Sequence, residues 1–156
     1  MTNSLLISSA CMYRKSFEEL TKAEVYAVAK LRQQVFIVEQ NSIYSDLDDH
    51  DQSSTHYLDV DQTGQLKVYG RFRHTQSQSE VKIERVVLDK SARGKGLGKQ
   101  LMKRMLKDIL AEFPKNKIVL SAQLEVREFY ASLGFIAQGT PYDDGGIDHI
   151  QMFYQG

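Results

Sequence analysis

The chain has little cysteine: Cys11 is the only one among 156 residues. A single thiol cannot close an internal disulfide or build a thiolate metal cluster, and its solitude fits a reducing compartment. Neither sign of charge is in excess, because 20 basic and 20 acidic side chains leave a formal net charge of zero. No global field therefore draws the protein to nucleic acid or to an anionic membrane, and any electrostatic effect has to be local. No stretch approaches the ~20 apolar residues that cross a bilayer. The opening MTNSLLISSACMYRK also lacks the charged start and longer apolar segment of a secretory leader. A soluble, cytoplasmic protein that binds neither nucleic acid nor membrane is expected. Repeats, low-complexity tracts and Gly/Ser/Pro linkers are missing as well, so residues 1–156 are expected to form one domain around one core.

What is present reads as alternating elements. Thr21 followed three residues later by Glu24 is a capping box, so a helix is expected to start there and run through LRQQVFIVEQ. The polar, acidic stretch NSIYSDLDDHDQSS from Asn41 to Ser54 reads as a long loop. THYLDVD, QLKVYGRFRH and EVKIERVVL read as three consecutive strands of an antiparallel meander. Leu97, Leu101, Met105, Ile109 and Phe113 recur every four residues as an amphipathic helix demands, and Pro114 closes it. KIVLSA, the helical VREFYASL, FIAQG and HIQMFY complete an α+β fold on a mixed sheet.

The densest chemistry lies at ARGKGLGKQ, between a strand and that amphipathic helix. A Walker loop would need Gly where Arg93 stands and Ser or Thr where Gln100 stands. A dinucleotide fingerprint would need its third Gly where Lys99 stands. What remains is Arg93-Gly94-Lys95-Gly96-Leu97-Gly98 at a helix mouth. Bare backbone N–H groups there can approach an anion, and a pyrophosphate fits that grip; a flexible connector is the plainer alternative. Arg93, Lys95 and Lys99 weigh toward the anion, since a connector gains nothing from three cations. DLDDHD lacks the sixth-position Gly and twelfth-position Glu of a calcium loop, and no metal is expected.

The glycine segment, together with FYASLGF from Phe129 to Phe135, resembles the two signatures of the GNAT N-acetyltransferases. LRQQVFIVEQ, LSAQ and PYDDGGIDHIQM are similar to the ElaA-like branch of that family. The resemblance covers roughly residues 13–154. It implies a central, mixed, mostly antiparallel sheet flanked by helices. It also implies acetyl-CoA as acyl donor, released as CoA, and a primary amine on a small molecule or peptide as acceptor, attacking directly in a ternary complex.

By the same resemblance Val86, Val87 and Leu88 pair with pantetheine, a backbone N–H in that trio faces the thioester oxygen, and Arg93, Gly94, Lys95, Gly96, Leu97, Gly98 and Lys99 hold the diphosphate. Gln123 stands where many members carry a cofactor-contacting Asn. Tyr130 is the implied general acid, because a phenol of pKa ~10 can protonate a thiolate whose thiol has pKa ~8.5; a packed core tyrosine is the alternative. Glu84 is the candidate base, with a cross-strand salt bridge the other reading. Arg32, Phe36, Glu39, Gln40, Tyr44, Asp46 and His149 are expected on the acceptor side. Asp46, Asp48, Asp49, Asp51, Asp143 and Asp144 would attract a cation if they lined one cleft. A non-catalytic acyl-CoA sensor on the same fold is the rival reading, and homodimers are common in the family.

Overall fold

The computed structural model describes residues 12–156, and Cys11 lies outside them. The elements run β1 (Met12–Ser16), α1 (Lys22–Arg32), a π-helical turn (Gln33–Glu39), β2 (Thr55–Val60), β3 (Leu66–His74), β4 (Glu80–Leu88), α2 (Leu97–Glu112), β5 (Lys117–Gln123), α3 (Arg127–Ala131), β6 (Phe135–Asp144) and β7 (Ile147–Tyr154). Seven strands form one sheet in the order β1-β2-β3-β4-β5-β7-β6. Every neighbouring pair is antiparallel except β4 with β5. The mixed, mostly antiparallel sheet flanked by helices is the architecture expected.

Helix α1 begins where the capping box placed it: Thr21 Oγ1 accepts from Glu24 N at 3.1 Å and Glu24 Oε1 accepts from Thr21 N at 2.8 Å. The expected helix does not run on regularly. After Arg32 it loosens into the π-helical turn, which no periodicity signals. The last hairpin is longer than FIAQG and HIQMFY suggest, because β6 continues through Pro141 to Asp144 and turns at Gly145-Gly146.

The sheet is covered on both faces. Val28, Leu31 and Val35 pack with Leu58, Tyr69 and Val87 on one face. On the other, Leu101, Met102, Met105 and Ile109 of α2 meet Val68, Phe72, Ile83, Leu120 and Met152. The period-four stripe read from the sequence is thus a buried seam, and its central residues Leu101, Met105 and Ile109 are fully enclosed. Ile109→Ala should lower the unfolding free energy by about 2–5 kcal/mol through lost burial and a residual cavity. Thr21→Ala should cost about 1 kcal/mol at the helix cap. Urea unfolding followed by circular dichroism measures both, and an Ile109→Ala loss no larger than that of Thr21→Ala would contradict the seam.

Candidate functional site

The site begins with a strand that leaves its neighbour. Tyr69 pairs with Val87 and Arg71 with Glu84, so Gly70 alone faces both Arg85 and Val86. Arg85 takes φ +58°, and an extra residue in left-handed conformation makes a bulge that bends the strand and increases its twist. On the other side, the parallel ladder to β5 stops at Ile83 and Leu120. From Glu84 onward the two strands part. The gap opens a cleft of about 790 Å³ that runs along Val86, Val87 and Leu88 to the mouth of α2.

At that mouth Gly94 and Gly96 both hold φ +77°, which side chains rarely adopt, and a Cβ at either would meet no atom within 4 Å. These two glycines serve backbone shape and leave open space beside it. Gly98 differs: it lies inside α2, and a Cβ there would make ordinary contact with Leu88 and Phe129. Helix α2 has no side-chain cap, and its first internal bond runs from Gln100 N to Gly96 O at 3.1 Å. The N–H groups of Leu97, Gly98 and Lys99 are the donors such a helix start leaves without internal partners. Arg93 reaches the same place, donating to Leu88 O at 3.0 and 3.2 Å and forming a two-pronged pair with Glu39 at 2.6 and 3.0 Å. Lys99 lines the cleft and Lys95 does not.

Tyr130 stands at the far wall with its ring edge-on to Phe129 and Phe135, at centroid distances of 5.1 and 6.1 Å. Burial pushes its phenol up to about 12, so the group stays protonated at neutral pH. Gln123 closes the end of β5 by exchanging amide hydrogen bonds with Gln40, of 2.9 and 3.4 Å, across the cleft. Phe36, Glu39, Gln40, Tyr44 and His149 also line it.

Three expectations about charge are corrected by a lattice beneath the loop of residues 41–54. Arg32 is fully buried, donating to Asp46 at 2.9 Å, to Asp51 at 2.7 Å and to the Asp46 carbonyl at 2.7 Å. Arg71, also fully buried, donates to Asp48, Asp51 and Glu84 at 2.6 Å each. Arg73 grips both oxygens of Glu84 at 3.0 Å. Arg85 meets Asp48 at 3.1 Å, and its Nε lies 2.9 Å from Asp46 without hydrogen-bond geometry.

Glu84 borders the cleft, yet desolvation, which alone would raise its pKa, is overcome by Arg73 and Arg71, which hold it at about 2. Such a carboxylate is a poor proton acceptor at neutral pH, and the salt-bridge reading of Glu84 describes its surroundings. Arg32 and Asp46 do not line the cleft; they hold the loop down. Three of the loop's aspartates, Asp46, Asp48 and Asp51, are each answered by arginine, whereas Asp49 stands exposed. Asp144 reaches the cleft and Asp143 does not.

Sequence reasoning missed the roof. Ser42 Oγ donates to Gly145 O at 2.6 Å, tying the loop of residues 41–54 to the tip of the last hairpin. Tyr44 is wedged between Asp46, whose carboxylate accepts from its hydroxyl at 3.1 Å, and the Arg85 guanidinium 5.5 Å from its ring. The double glycine of DDGG was the available signal, since such pairs mark tight hairpin turns.

The sheet that parts beside an uncapped, glycine-opened helix start is that of a class of acyltransferases. The chain belongs to the GNAT acetyltransferase family, whose domain description, Acetyltransferase (GNAT) domain, matches residues 18–155. Within the family it falls in the ElaA-like branch. Protein ElaA of Escherichia coli is 36% identical over 86% of this chain and 89% of its own length. A UPF0039 protein of Synechocystis is 35% identical over 89% of this chain and 91% of its own. The crystal structure of E. coli ElaA superposes with TM-score 0.86 at 33% identity, covering 92% of this chain and 98% of that one. An acyl-CoA N-acyltransferase from Pseudomonas aeruginosa does so with TM-score 0.86 at 35% identity over the same shares.

The lattice has a pH signature. A carboxyl lowered from 4.5 to about 2 adds stability above its unfolded value, and that stability is lost as pH falls from 4.5 toward 2. Glu84→Gln should lose about 3 kcal/mol at pH 7, since it leaves buried arginines short of a partner. Its deficit against the parent should shrink across that acid window in urea titrations. A deficit constant with pH would show that the carboxylate charge is not what stabilises the fold.

Proposed function

We propose that the protein moves an acetyl group from acetyl-CoA to a primary amine by direct attack within a ternary complex. The observation that carries the reading is the free edge of β4 at Val86–Leu88, which leads without interruption to the open backbone of Gly94 and Gly96. An extended pantetheine arm can pair with such an edge as a strand would. Its diphosphate would end where the N–H groups of Leu97, Gly98 and Lys99 and the guanidinium of Arg93 converge.

The exchange at Arg93 is inexpensive. Its pair with Glu39 is exposed, and pairs of that kind are worth less than about 1 kcal/mol, so a diphosphate on the same guanidinium loses little by displacing the carboxylate. Acetyl-CoA supplies an activated thioester; the chain supplies position, an oxyanion donor and protons. A backbone N–H of the Val86–Leu88 edge faces the carbonyl oxygen as negative charge develops there. Tyr130, kept neutral by burial, donates its proton to the departing sulfur. The transferase relatives support an acylation rather than mere binding.

Titration calorimetry with CoA, followed by a panel of spermidine, an aminoglycoside, a lysyl peptide and tyramine with acetyl-CoA, tests the reading through thiol release. Tyr130→Phe should retain acetyl-CoA affinity while turnover falls about 10²–10⁴-fold. Gly96→Val should abolish CoA uptake, because its backbone sits at φ +77°. Saturable CoA uptake without thiol release from any amine would favour a sensor.

A further inference from the structure

With Glu84 held by arginines, the reaction lacks a proton acceptor for the incoming amine, and the cleft contains one group arranged for that task. We propose that His149 Nε2 takes the proton from the acceptor ammonium. The inference rests on the transferase reading above.

The tautomer is fixed by geometry. His149 Nδ1 lies 2.7 Å from the carbonyl oxygen of Ile147, which can only accept, so Nδ1 carries the hydrogen and a neutral ring leaves Nε2 as a bare acceptor. The ring is held on both sides of its row in the sheet. Gln123 is its register partner on β5 and Tyr142 its partner on β6. Gln123 is itself fastened to Gln40. Tyr142 stacks on the imidazole with 27° between ring planes. Its hydroxyl is anchored in turn by Ser121 and by Gln151 Nε2 at 3.0 Å. Two polar side chains on Tyr142 and one backbone carbonyl on His149 hold this aromatic pair and give the imidazole a fixed direction, which general-base catalysis requires.

The other titratable groups of the cleft are poorly suited. Among the carboxylates, Glu39 is lowered by its hydrogen bonds from Arg93, Glu84 is held near 2, and Glu125 and Asp144 stand exposed. The Tyr44 phenol is raised by burial, as is that of Tyr130, so neither provides an anion at neutral pH. The cations Lys82 and Arg85 face the cleft from β4 but are matched by Glu84 and by Asp46 with Asp48.

The step balances. One ammonium proton moves to Nε2, and the freed nitrogen lone pair forms the C–N bond at the thioester carbonyl as the C–S bond breaks. The sulfur receives the Tyr130 proton. The remaining excess proton on nitrogen replaces it through solvent, and the proton on His149 leaves to bulk water. Overall, ammonium and thioester become amide, thiol and one released proton.

His149→Asn is the discriminating variant, because the asparagine amide can occupy the Nδ1 position and still donate to Ile147 O while offering nothing at Nε2. Acetyl-CoA affinity should be unchanged, and kcat with the panel amine that releases CoA fastest should fall about 10²-fold or more at neutral pH. In the parent, kcat/KM should rise with pH and level off. In the variant it should keep rising about tenfold per pH unit with the free-amine fraction and approach the parent near the amine's own pKa, ~10. A deficit equal at every pH, or none, overturns the proposal and leaves a merely structural imidazole. Nitrogen NMR of the parent ring should show Nδ1 protonated and Nε2 bare; the opposite tautomer also overturns it. If the parent turns over no amine, the transferase reading fails and this inference with it, whereas turnover with an unaltered variant sinks this inference alone.

Discussion

The site depends on one backbone constraint, the left-handed residue in the middle of β4. A non-glycine side chain at φ +58° costs about 1–2 kcal/mol, and the fold keeps Arg85 there because its guanidinium is bound to Asp46 and Asp48. Those carboxylates belong to the loop of residues 41–54. One residue thus does two things: its backbone parts β4 from β5, and its side chain secures the loop that covers the opening. The cleft and its roof are consequences of the same bulge.

The lattice around that bulge also explains how so many charges can sit beside the cleft. Arg32, Arg71, Arg73 and Arg85 face Asp46, Asp48, Asp51 and Glu84, and the set is formally neutral. Buried ion pairs of this kind contribute little net stability compared with apolar packing, but losing one member is costly. Their effect is therefore positional. They fix the loop that carries Tyr44 and, through Ser42, the tip of the last hairpin.

The parts of the molecule legible in the sequence were those whose physical cause is local. Thr21 and Glu24 announce a cap through neighbours three residues apart, the α2 stripe repeats with the turn of the helix, and the glycines before it mark a backbone that side chains would strain. The lattice was illegible because its partners are separated by 11 to 39 residues and meet only through sheet register. Nothing in IERVVL reveals that Glu84 will face Arg71 and Arg73 on the adjacent strand, since that pairing depends on where the bulge falls. The same holds for the tautomer of His149, which is set by a carbonyl two residues before the strand read at HIQMFY. The π-helical turn was hidden for another reason: QQVFIVE has the composition of an ordinary helix, and its altered winding follows from docking Val35 and anchoring Arg32.

Neutrality of the lattice bears directly on acylation of an amine. In the reaction proposed above only the uncharged amine can attack, so the protein would have to make deprotonation easy once the ammonium has bound. An unpaired carboxylate about 8 Å away would stabilise the ammonium by roughly 2 kcal/mol at an effective dielectric near 20, raising its pKa by about 1.5. Several acting together would trap the acceptor in the unreactive form. By pairing Asp46, Asp48, Asp51 and Glu84 with arginines, the fold neutralises four such charges on and behind one wall of the cleft. Beside them the cleft wall carries a buried phenol, a cross-braced amide and an oriented imidazole. In the proposed reaction proton transfer then has one donor and one acceptor, Tyr130 and His149, and the carboxylates left on the cleft wall without a cationic partner, Glu125 and Asp144, are exposed to water that screens them.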